Sequence, residues 1–127
     1  MIDFVWWESE FDNGTEGWIC SMLSRRRRVG TAHVVLSKKR PRRACLAALE
    51  VEAQYQRLGY GKLLLQHVIN WASPNYDHLW LSVQPFGNKR LNQQQLVDYY
   101  EAFGFVRIQN RAKWPEMQRP LVKPFAV

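Results

Sequence analysis

The feature that most constrains this chain is an apolar segment followed by a turn with two glycines. Residues 44–51 are almost all apolar, which is typical of a central strand buried on both faces. Gly59 and Gly61 follow within residues 56–62, which we call the glycine turn. Apolar side chains then recur every three or four residues, which predicts a helix over residues 62–72. Such a turn presents backbone N–H groups and a helix N-terminus to an anion, most simply a phosphate or pyrophosphate.

Short strands and turns fill the chain before this segment. The patterns predict strands at residues 4–7, 18–23, 29–36 and 44–51, separated by turns at residues 12–14, 25–28 and 38–43. Because the turns are short, we expect an antiparallel meander. Successive turns of a meander alternate between the two ends of a sheet. The arginine turn at residues 25–28 should therefore lie at the same end as the glycine turn, and residues 38–43 at the opposite end.

A second group of elements follows the first helix. Asn92 can cap a second helix, with Gln95 at the capping-box position and Gly104 at the end. The first helix is a crossover between the fourth and fifth strands, which allows a parallel pair. The remaining predicted elements are strands at residues 79–83, 105–109 and 117–122, and a loop at residues 85–91.

The expected fold class is α+β in a single domain over residues 1–127. It has a mixed, mostly antiparallel twisted sheet of six to seven strands and two main helices. The 127 residues are 46% hydrophobic, which is sufficient for a core.

The formal net charge is +7, and residues 25–28 and 38–43 carry much of it. Such a charge suits nucleic acid, an acidic protein or an anionic small molecule, and two solvated turns would explain it as well. Cys20 and Cys45 are typical of small apolar side chains in a reducing compartment, and the histidines lack metal-ligand spacing. We therefore predict a cytoplasmic protein with no metal site, signal peptide or membrane span.

Two constellations are candidates for chemistry. The spacing Gln56-x-x-Gly59-x-Gly61 has cations beside it, Arg57 and Lys62, which suits an anion site. It lacks the Gly-Lys-Ser/Thr ending of a Walker loop and the third glycine of a Rossmann fingerprint. Glycines needed only for backbone geometry are the alternative. Tyr100, on the inner face of the second helix, is either a core aromatic or a proton donor.

Taken together, these segments resemble the GCN5-related N-acetyltransferases (GNAT family). The glycine turn matches the family's Gln/Arg-x-x-Gly-x-Gly/Ala signature, and residues 49–51 lie where the family has Leu-x-Val. Residues 100–105 are similar to its Tyr-x-x-x-Gly-Phe segment, and residues 117–121 to its closing strand. The resemblance covers roughly residues 29–121.

This resemblance implies an acetyl-CoA cradle in which the fourth strand splays from the fifth. Backbone groups of Leu49 and Val51 would bind pantetheine, Asn92 matches a family asparagine, and Tyr100 matches the general acid that protonates the departing thiolate. The set implied for the pyrophosphate is Gln56, Arg57, Leu58, Gly59, Tyr60, Gly61 and Lys62. The implied reaction is direct attack of an amine on the thioester in a ternary complex, helped by positioning and carbonyl polarisation.

The chain departs from the family in its acceptor half. Too few residues separate the first two predicted strands for the two helices that usually wall the acceptor groove. We expect an open groove that suits a protein or peptide acceptor, or one completed by a second subunit. Members that acetylate protein N-termini can carry a glutamate base on the fifth strand, where this chain has Ser82. Glu50 is the predicted base, with Glu52, a water relay or an already neutral amine as alternatives.

The leading prediction is an acetyl-CoA-dependent N-acetyltransferase that acts on a primary amine of a protein, peptide or small molecule. The alternatives are a non-catalytic CoA-binding protein of this family and a small basic nucleic-acid-binding domain. Basic residues that lie in turns rather than along one helix face disfavour nucleic acid. Residues 25–28 would contact the CoA 3′-phosphate or an acidic acceptor, or be solvated. Trp6, Trp7 and Trp18 would form a dimerising apolar patch or fill the space of the absent helices.

Overall fold

The structure, a computed structural model, describes residues 1–11, 14–83, 91–108 and 113–122. Its helices are α1 (Tyr60–Ala72) and α2 (Gln93–Glu101), and a short 3₁₀ turn spans Ala53–Tyr55. The strands are β1 (Ile2–Glu10), β2 (Glu16–Ser24), β3 (Arg27–Leu36), β4 (Arg43–Val51), β5 (His78–Ser82), β6 (Val106–Ile108) and β7 (Glu116–Pro120). The element order predicted from the sequence is confirmed. The predicted residues 12, 13, 85–90 and 109 lie outside the described residues.

The seven strands form one sheet in the order β1-β2-β3-β4-β5-β7-β6. β1 to β4 form the expected antiparallel meander, and β5, β7 and β6 are also antiparallel neighbours. β4 and β5 are parallel neighbours, and their pairing has three residue pairs and ends at Cys45 and Trp80. Beyond that point β4 keeps its β3 partner as far as Val51. A wedge therefore opens between β4 and β5, as the resemblance implied.

Both helices lie on one face of the sheet. The β4-α1-β5 and β5-α2-β6 connections run in the same direction across the sheet, and right-handed crossovers then put both helices on the same side. A Cβ on Gly30 would lie 3.2 Å from Leu64 Cδ2, so α1 packs closely on β3. The buried side chains of α1 are Leu64, Leu65, Val68, Ile69 and Ala72.

The opposite face, which we call the open face, has no helix on it among the described residues. Val5 and Trp7 are 46% and 42% exposed there. The strand registers place on this face the side chains of Val5, Trp7, Ile19, Thr31, His33, Cys45, Glu50, Trp80, Ser82 and Glu116. The prediction that β4 is buried on both faces is wrong: Glu50 and Ala47 are exposed, because only one face has a helical layer.

The N-terminal tryptophans divide between the two faces. Trp6 stacks on Trp71 of α1 at 4.0 Å between ring centroids, and Trp18 meets Trp71 edge-on at 5.8 Å. Trp6 Nε1 also donates a hydrogen bond of 2.8 Å to His67 Nε2. These contacts fasten the β1–β2 hairpin to α1, whereas Trp7 lies on the open face.

Among residues 1–11 and 14–24, which the structure describes here, no helix separates β1 from β2. Their register runs without interruption from Ile2 opposite Ser24 to Glu10 opposite Glu16. The Phe11 amide donates to the Thr15 carbonyl at 2.8 Å, which closes the hairpin. The expected loss of the family's two N-terminal helices is therefore seen in the fold.

Candidate active site

Backbone N–H and C=O groups at the end of β4 point into the wedge. The Glu52 amide donates to the Val29 carbonyl at 2.9 Å, and the register continues with Val51 opposite Gly30. In an antiparallel ladder bonded and non-bonded pairs alternate, so Val51 and Leu49 direct their N–H and C=O groups away from β3. Among the described residues no strand pairs with this edge beyond Cys45. An extended chain placed in the wedge could therefore pair with Leu49 and Val51.

The glycine turn connects this edge to α1. Gln56 Nε2 donates a hydrogen bond of 3.0 Å to the Val51 carbonyl, which holds the turn against the end of β4. Gly59, the N-cap of α1, has φ +85°, and Arg57 has φ +68°. Such angles suit glycine and are strained for arginine. The turn thus holds Arg57 in a left-handed backbone conformation that an arginine side chain disfavours.

The space above this turn fits an anion. A Cβ added to Gly59 would meet nothing within 4 Å. The amides of Tyr60, Gly61 and Lys62 open the first turn of α1, where no preceding carbonyl can accept from them. These N–H groups and the positive end of the helix dipole converge on the same open space, which a phosphate would fill.

The two tyrosines of α2 reach different parts of this region. Tyr100 lies against Phe105, at 5.6 Å between ring centroids. Burial and, to a smaller extent, the neighbouring Tyr99 raise the pKa of Tyr100 to about 12. The Tyr99 hydroxyl lies 3.6 Å from the position of a Cβ on Gly61, at the start of α1. Sequence reasoning did not assign Tyr99, although it follows Leu96 and precedes Phe103 at helical spacing on the same stripe.

A groove of about 660 Å³ lies on the open face beside the end of β4. Ala48, Glu50 and Val51 of β4 line this groove, and all three lie beyond Cys45, so the groove borders the wedge. Glu50 faces Thr31 across the β3–β4 pair, and His33 lies further along the same wall. Glu52, which also lines the groove, forms an ion pair of 3.4 Å with Arg28.

Comparison with known proteins identifies the family. The model of the acetyltransferase (GNAT) family matches residues 2–105, most of the chain. The chain belongs to the GNAT family.

The sequence identity to individual relatives is low. The chain is 27% identical over 81 residues to the probable N-acetyltransferase san of Drosophila melanogaster, covering 62% of this chain and 41% of that protein. It spans less than half the length of the curated relatives that it matches.

Two solved structures show the same fold. The ribosomal-protein-S18-alanine N-acetyltransferase of Escherichia coli is similar with a TM-score of 0.65 and 20% identity, covering 86% of this chain and 72% of that one. The PaiA N-acetyltransferase of Thermoplasma acidophilum, in complex with coenzyme A, has a TM-score of 0.59 and 17% identity, covering 80% and 59%.

Two predicted GNAT residues have local structural roles. Asn92 is the N-cap of α2: its Oδ1 accepts from the Gln95 amide at 2.9 Å, and Gln95 Oε1 accepts from the Asn92 amide at 2.9 Å. This capping box occupies the Asn92 oxygen. Gln56 likewise holds the strand end. Their predicted contacts with the cosubstrate remain predictions.

The basic clusters lie at opposite ends of the sheet, as expected from the meander. Arg25 and Arg26 form the β2–β3 turn with φ +50° and +66°, at the end where Gly30 pairs with Val51. At the other end Arg42 is hydrogen-bonded to Asp77, and Arg43 lies 4.5 Å from the centroid of Trp80. The two clusters therefore do not form one basic surface within the described part of the chain.

The wedge begins at Cys45, on the open face. Burial raises the pKa of its thiol to about 12, Arg43 lowers it and the Glu116 carboxylate raises it. Cys45 and Cys20 are both free thiols. Within the part of the chain that the structure describes, no cluster of side chains could hold a metal ion, and neither helix is long and apolar enough to cross a membrane.

Proposed function

We propose that this GNAT protein is an acetyl-CoA-dependent N-acetyltransferase that transfers the acetyl group to a primary amine. The observation that carries the proposal is the continuity of two unfilled features. The outward amides of Leu49 and Val51 and the Leu49 carbonyl line the wedge, while the Val51 carbonyl accepts from Gln56, and the anion space of the glycine turn lies directly beyond them. A ligand with an extended arm and a pyrophosphate would occupy both at once.

Each part of the chain has a binding role in this proposal. The pantetheine arm would pair with Leu49 and Val51 as an added strand, since an unpaired sheet edge accepts an extended chain. The pyrophosphate would accept from the amides of the glycine turn, with Arg57 and Lys62 neutralising its charge. The coenzyme A complex of the Thermoplasma protein, which shares the fold, supports the choice of ligand.

Tyr100 would assist the leaving group. With a pKa of about 12 its hydroxyl keeps its proton throughout the neutral range. A free thiol has a pKa near 8.5, so a departing thiolate can accept a hydrogen bond from Tyr100 as negative charge develops on sulfur. The remaining contribution to the rate would come from holding the amine and the thioester in line.

The acceptor would enter from the open face. The groove beside Glu50 is the described cavity next to the wedge, and it is not covered by a helix of the described residues. An uncovered groove can admit the end of a polypeptide as well as a small amine. The name of the similar Escherichia coli protein, a ribosomal-protein-S18-alanine N-acetyltransferase, favours a peptide or protein amine.

Thermal unfolding with and without acetyl-CoA tests the proposed cosubstrate. A ligand at one hundred times its Kd should stabilise the protein by about 2.7 kcal/mol, a shift of several degrees. Gly59→Glu should abolish the shift because a carboxylate would fill the anion space and repel the pyrophosphate. Gly59→Asn is the matched control, since asparagine tolerates a positive φ and carries no charge.

The outcomes separate the candidate functions. A shift that is lost in Gly59→Glu and largely kept in Gly59→Asn supports binding at the glycine turn. No shift for the parent protein would overturn the proposal. If acetyl-CoA binds, the next assay measures acetyl transfer to peptides with free N-termini, to polyamines and to aminoglycosides. Binding without transfer to any of these acceptors would indicate a non-catalytic CoA-binding protein.

A further inference from the structure

Glu116 lies at a position that the sequence did not reveal as part of the site. It is the first residue of β7, and the register places it directly opposite Ser82 of β5. Directly paired residues of antiparallel strands point to the same face, with Cβ atoms about 4.5–5.5 Å apart. Glu116 therefore stands on the open face beside Ser82, although the two are far apart in the sequence.

The same face brings Glu116 to the point where the wedge begins. Cys45 is the last β4 residue paired with β5, and its partner Trp80 shares a face with Ser82. Glu116 pairs with Ser82, two residues beyond Trp80 on the same face of β5, so the carboxylate lies across β5 from Cys45, where the wedge begins. Glu50, the base predicted from the sequence, lies higher on β4 and is exposed at the groove beside the glycine turn.

The position of the reacting carbon distinguishes these two carboxylates. With the pyrophosphate at the glycine turn, the pantetheine arm runs back along β4 from Val51 toward Cys45, a distance of roughly 20 Å at 3.3 Å per residue. The thioester at the far end of that arm therefore lies nearer to Cys45, where the wedge begins, than to Val51 at its open end. An amine that approaches from the open face then meets Glu116, Ser82 and Cys45, and of these three side chains the carboxylate is the type that commonly serves as a general base.

We propose that Glu116 is the general base that deprotonates the acceptor amine. This inference rests on the proposed acetyl-CoA-dependent function. The acceptor ammonium gives one proton to the Glu116 carboxylate, and the neutral nitrogen forms a C–N bond with the thioester carbonyl carbon as the C–S bond breaks. The second proton lost from nitrogen goes to the thiolate sulfur, directly or through Tyr100. Glu116 then releases its proton to water, so the products are the acetamide, the CoA thiol and one proton.

The test is steady-state acetyl transfer by the full chain, followed as CoA thiol release with acetyl-CoA and a peptide bearing a free N-terminal amine. Glu116→Gln is nearly isosteric and should lower kcat about 100-fold, within the range for loss of a general base, while KM for acetyl-CoA stays within about twofold. The acetyl-CoA thermal shift should also be unchanged. Glu101→Gln, an exposed glutamate of α2, is the matched control with the same charge change.

Moving the carboxylate across the strand pair gives a second readout. The double variant Ser82→Glu with Glu116→Ser restores a carboxylate about 5 Å away on the same face. Its kcat should be at least about tenfold higher than that of Glu116→Gln. Glu116→Asp should keep more activity than Glu116→Gln. A role in folding alone would predict no recovery from the transposed carboxylate, so this variant distinguishes a base from a structural residue.

Three results would overturn the assignment. The first is a Glu116→Gln protein with full kcat, and the second is a loss of kcat in Glu50→Gln with none in Glu116→Gln. The third is a parent protein that binds acetyl-CoA but transfers nothing, since a base then has no reaction to serve. An absent thermal shift with acetyl-CoA would instead contradict the proposed function itself.

Discussion

The glycine turn and the open face are assembled in different ways. The turn takes its contacts from one continuous stretch, residues 49–62, in which Gln56 bonds the end of β4 and Gly59 starts α1. The open face takes Thr31, Glu50 and Glu116 from three strands that only the sheet brings together. In the proposed function, donor binding is therefore encoded locally in this chain, whereas acceptor chemistry depends on tertiary register.

The largest effect is expected from the adjacent tyrosines of α2, which lie beside different parts of the proposed donor site. Tyr100→Phe should lower kcat about 100-fold, because it removes a donor to the developing thiolate, and leave acetyl-CoA binding intact. Tyr99→Phe should instead weaken acetyl-CoA binding by roughly fivefold, the value of about 1 kcal/mol for one hydrogen bond at the start of α1. Kinetics and calorimetric titration of both variants would measure the split, and equal effects in the two variants would contradict it.

A pH profile adds to this test. A pKa of about 12 means that Tyr100 remains protonated on raising the pH from 7 to 10, so it should cause no alkaline loss of kcat in that range. An alkaline limb below pH 10 that disappears in Tyr100→Phe would show that the hydroxyl is more acidic when the donor is bound.

The next effect concerns the arginine turn beside the donor site. Arg25 and Arg26 occupy both central positions of a two-residue hairpin turn with positive φ, a conformation that Asn-Gly prefers. Replacing them with Arg25→Asn and Arg26→Gly should raise the free energy of unfolding by about 1–2 kcal/mol, or roughly 4 °C in Tm for each kcal/mol.

The same double variant tests a binding role for this turn. If these arginines contact the 3′-phosphate of CoA, the more stable variant should bind acetyl-CoA less tightly, and the loss should shrink at high salt. Comparison with 3′-dephospho-CoA provides the control. An unchanged Kd for both ligands would leave residues 25–28 as a solvated turn.

The smallest effect is expected where the β1–β2 hairpin is fastened to α1. Burial lowers the pKa of His67, and its Nε2 must be unprotonated to accept from Trp6 Nε1. The folded state therefore binds this proton less readily than the unfolded state, so stability is fully present above pH 6.5 and falls as the pH drops toward the folded-state pKa. Denaturant unfolding from pH 8 to pH 5 should show this fall, and His67→Gln should flatten it in this window.

The sequence was sufficient for the fold because its local signals agree with each other. The Asn92–Gln95 capping box, the turn glycines and the apolar periodicity of α1 each predict an element that the structure contains. The first four strands proved longer than predicted, whereas β7 ends at Pro120, two residues before the predicted end. Pairing overrides polarity in β1, which continues through Glu8 and Glu10 because β2 pairs with it along its whole length.

The site was predictable only in its donor half. Leu49, Val51 and the glycine turn are neighbours in sequence, so a motif can identify them. The positions of Tyr99 over Gly61 and of Glu116 opposite Ser82 follow from helix packing and strand register. No sequence motif joins either residue to its neighbour across the fold, so sequence reasoning named Glu50, which is close in sequence to the glycine turn, as the predicted base. The same holds for Trp6 and Trp18, whose contact with α1 depends on tertiary packing.

The central claim is that acetyl-CoA pairs with the outward amides of Leu49 and Val51. Amide hydrogen exchange at the end of β4, followed by NMR, tests it most directly. The structure predicts that acetyl-CoA slows exchange of the Leu49 and Val51 amides, which face the wedge, by at least about tenfold. The Glu50 amide, which faces β3 with or without ligand, should change little. Protection that appears equally at Glu50, or that fails to appear at Leu49 and Val51 under saturating acetyl-CoA, would contradict the account.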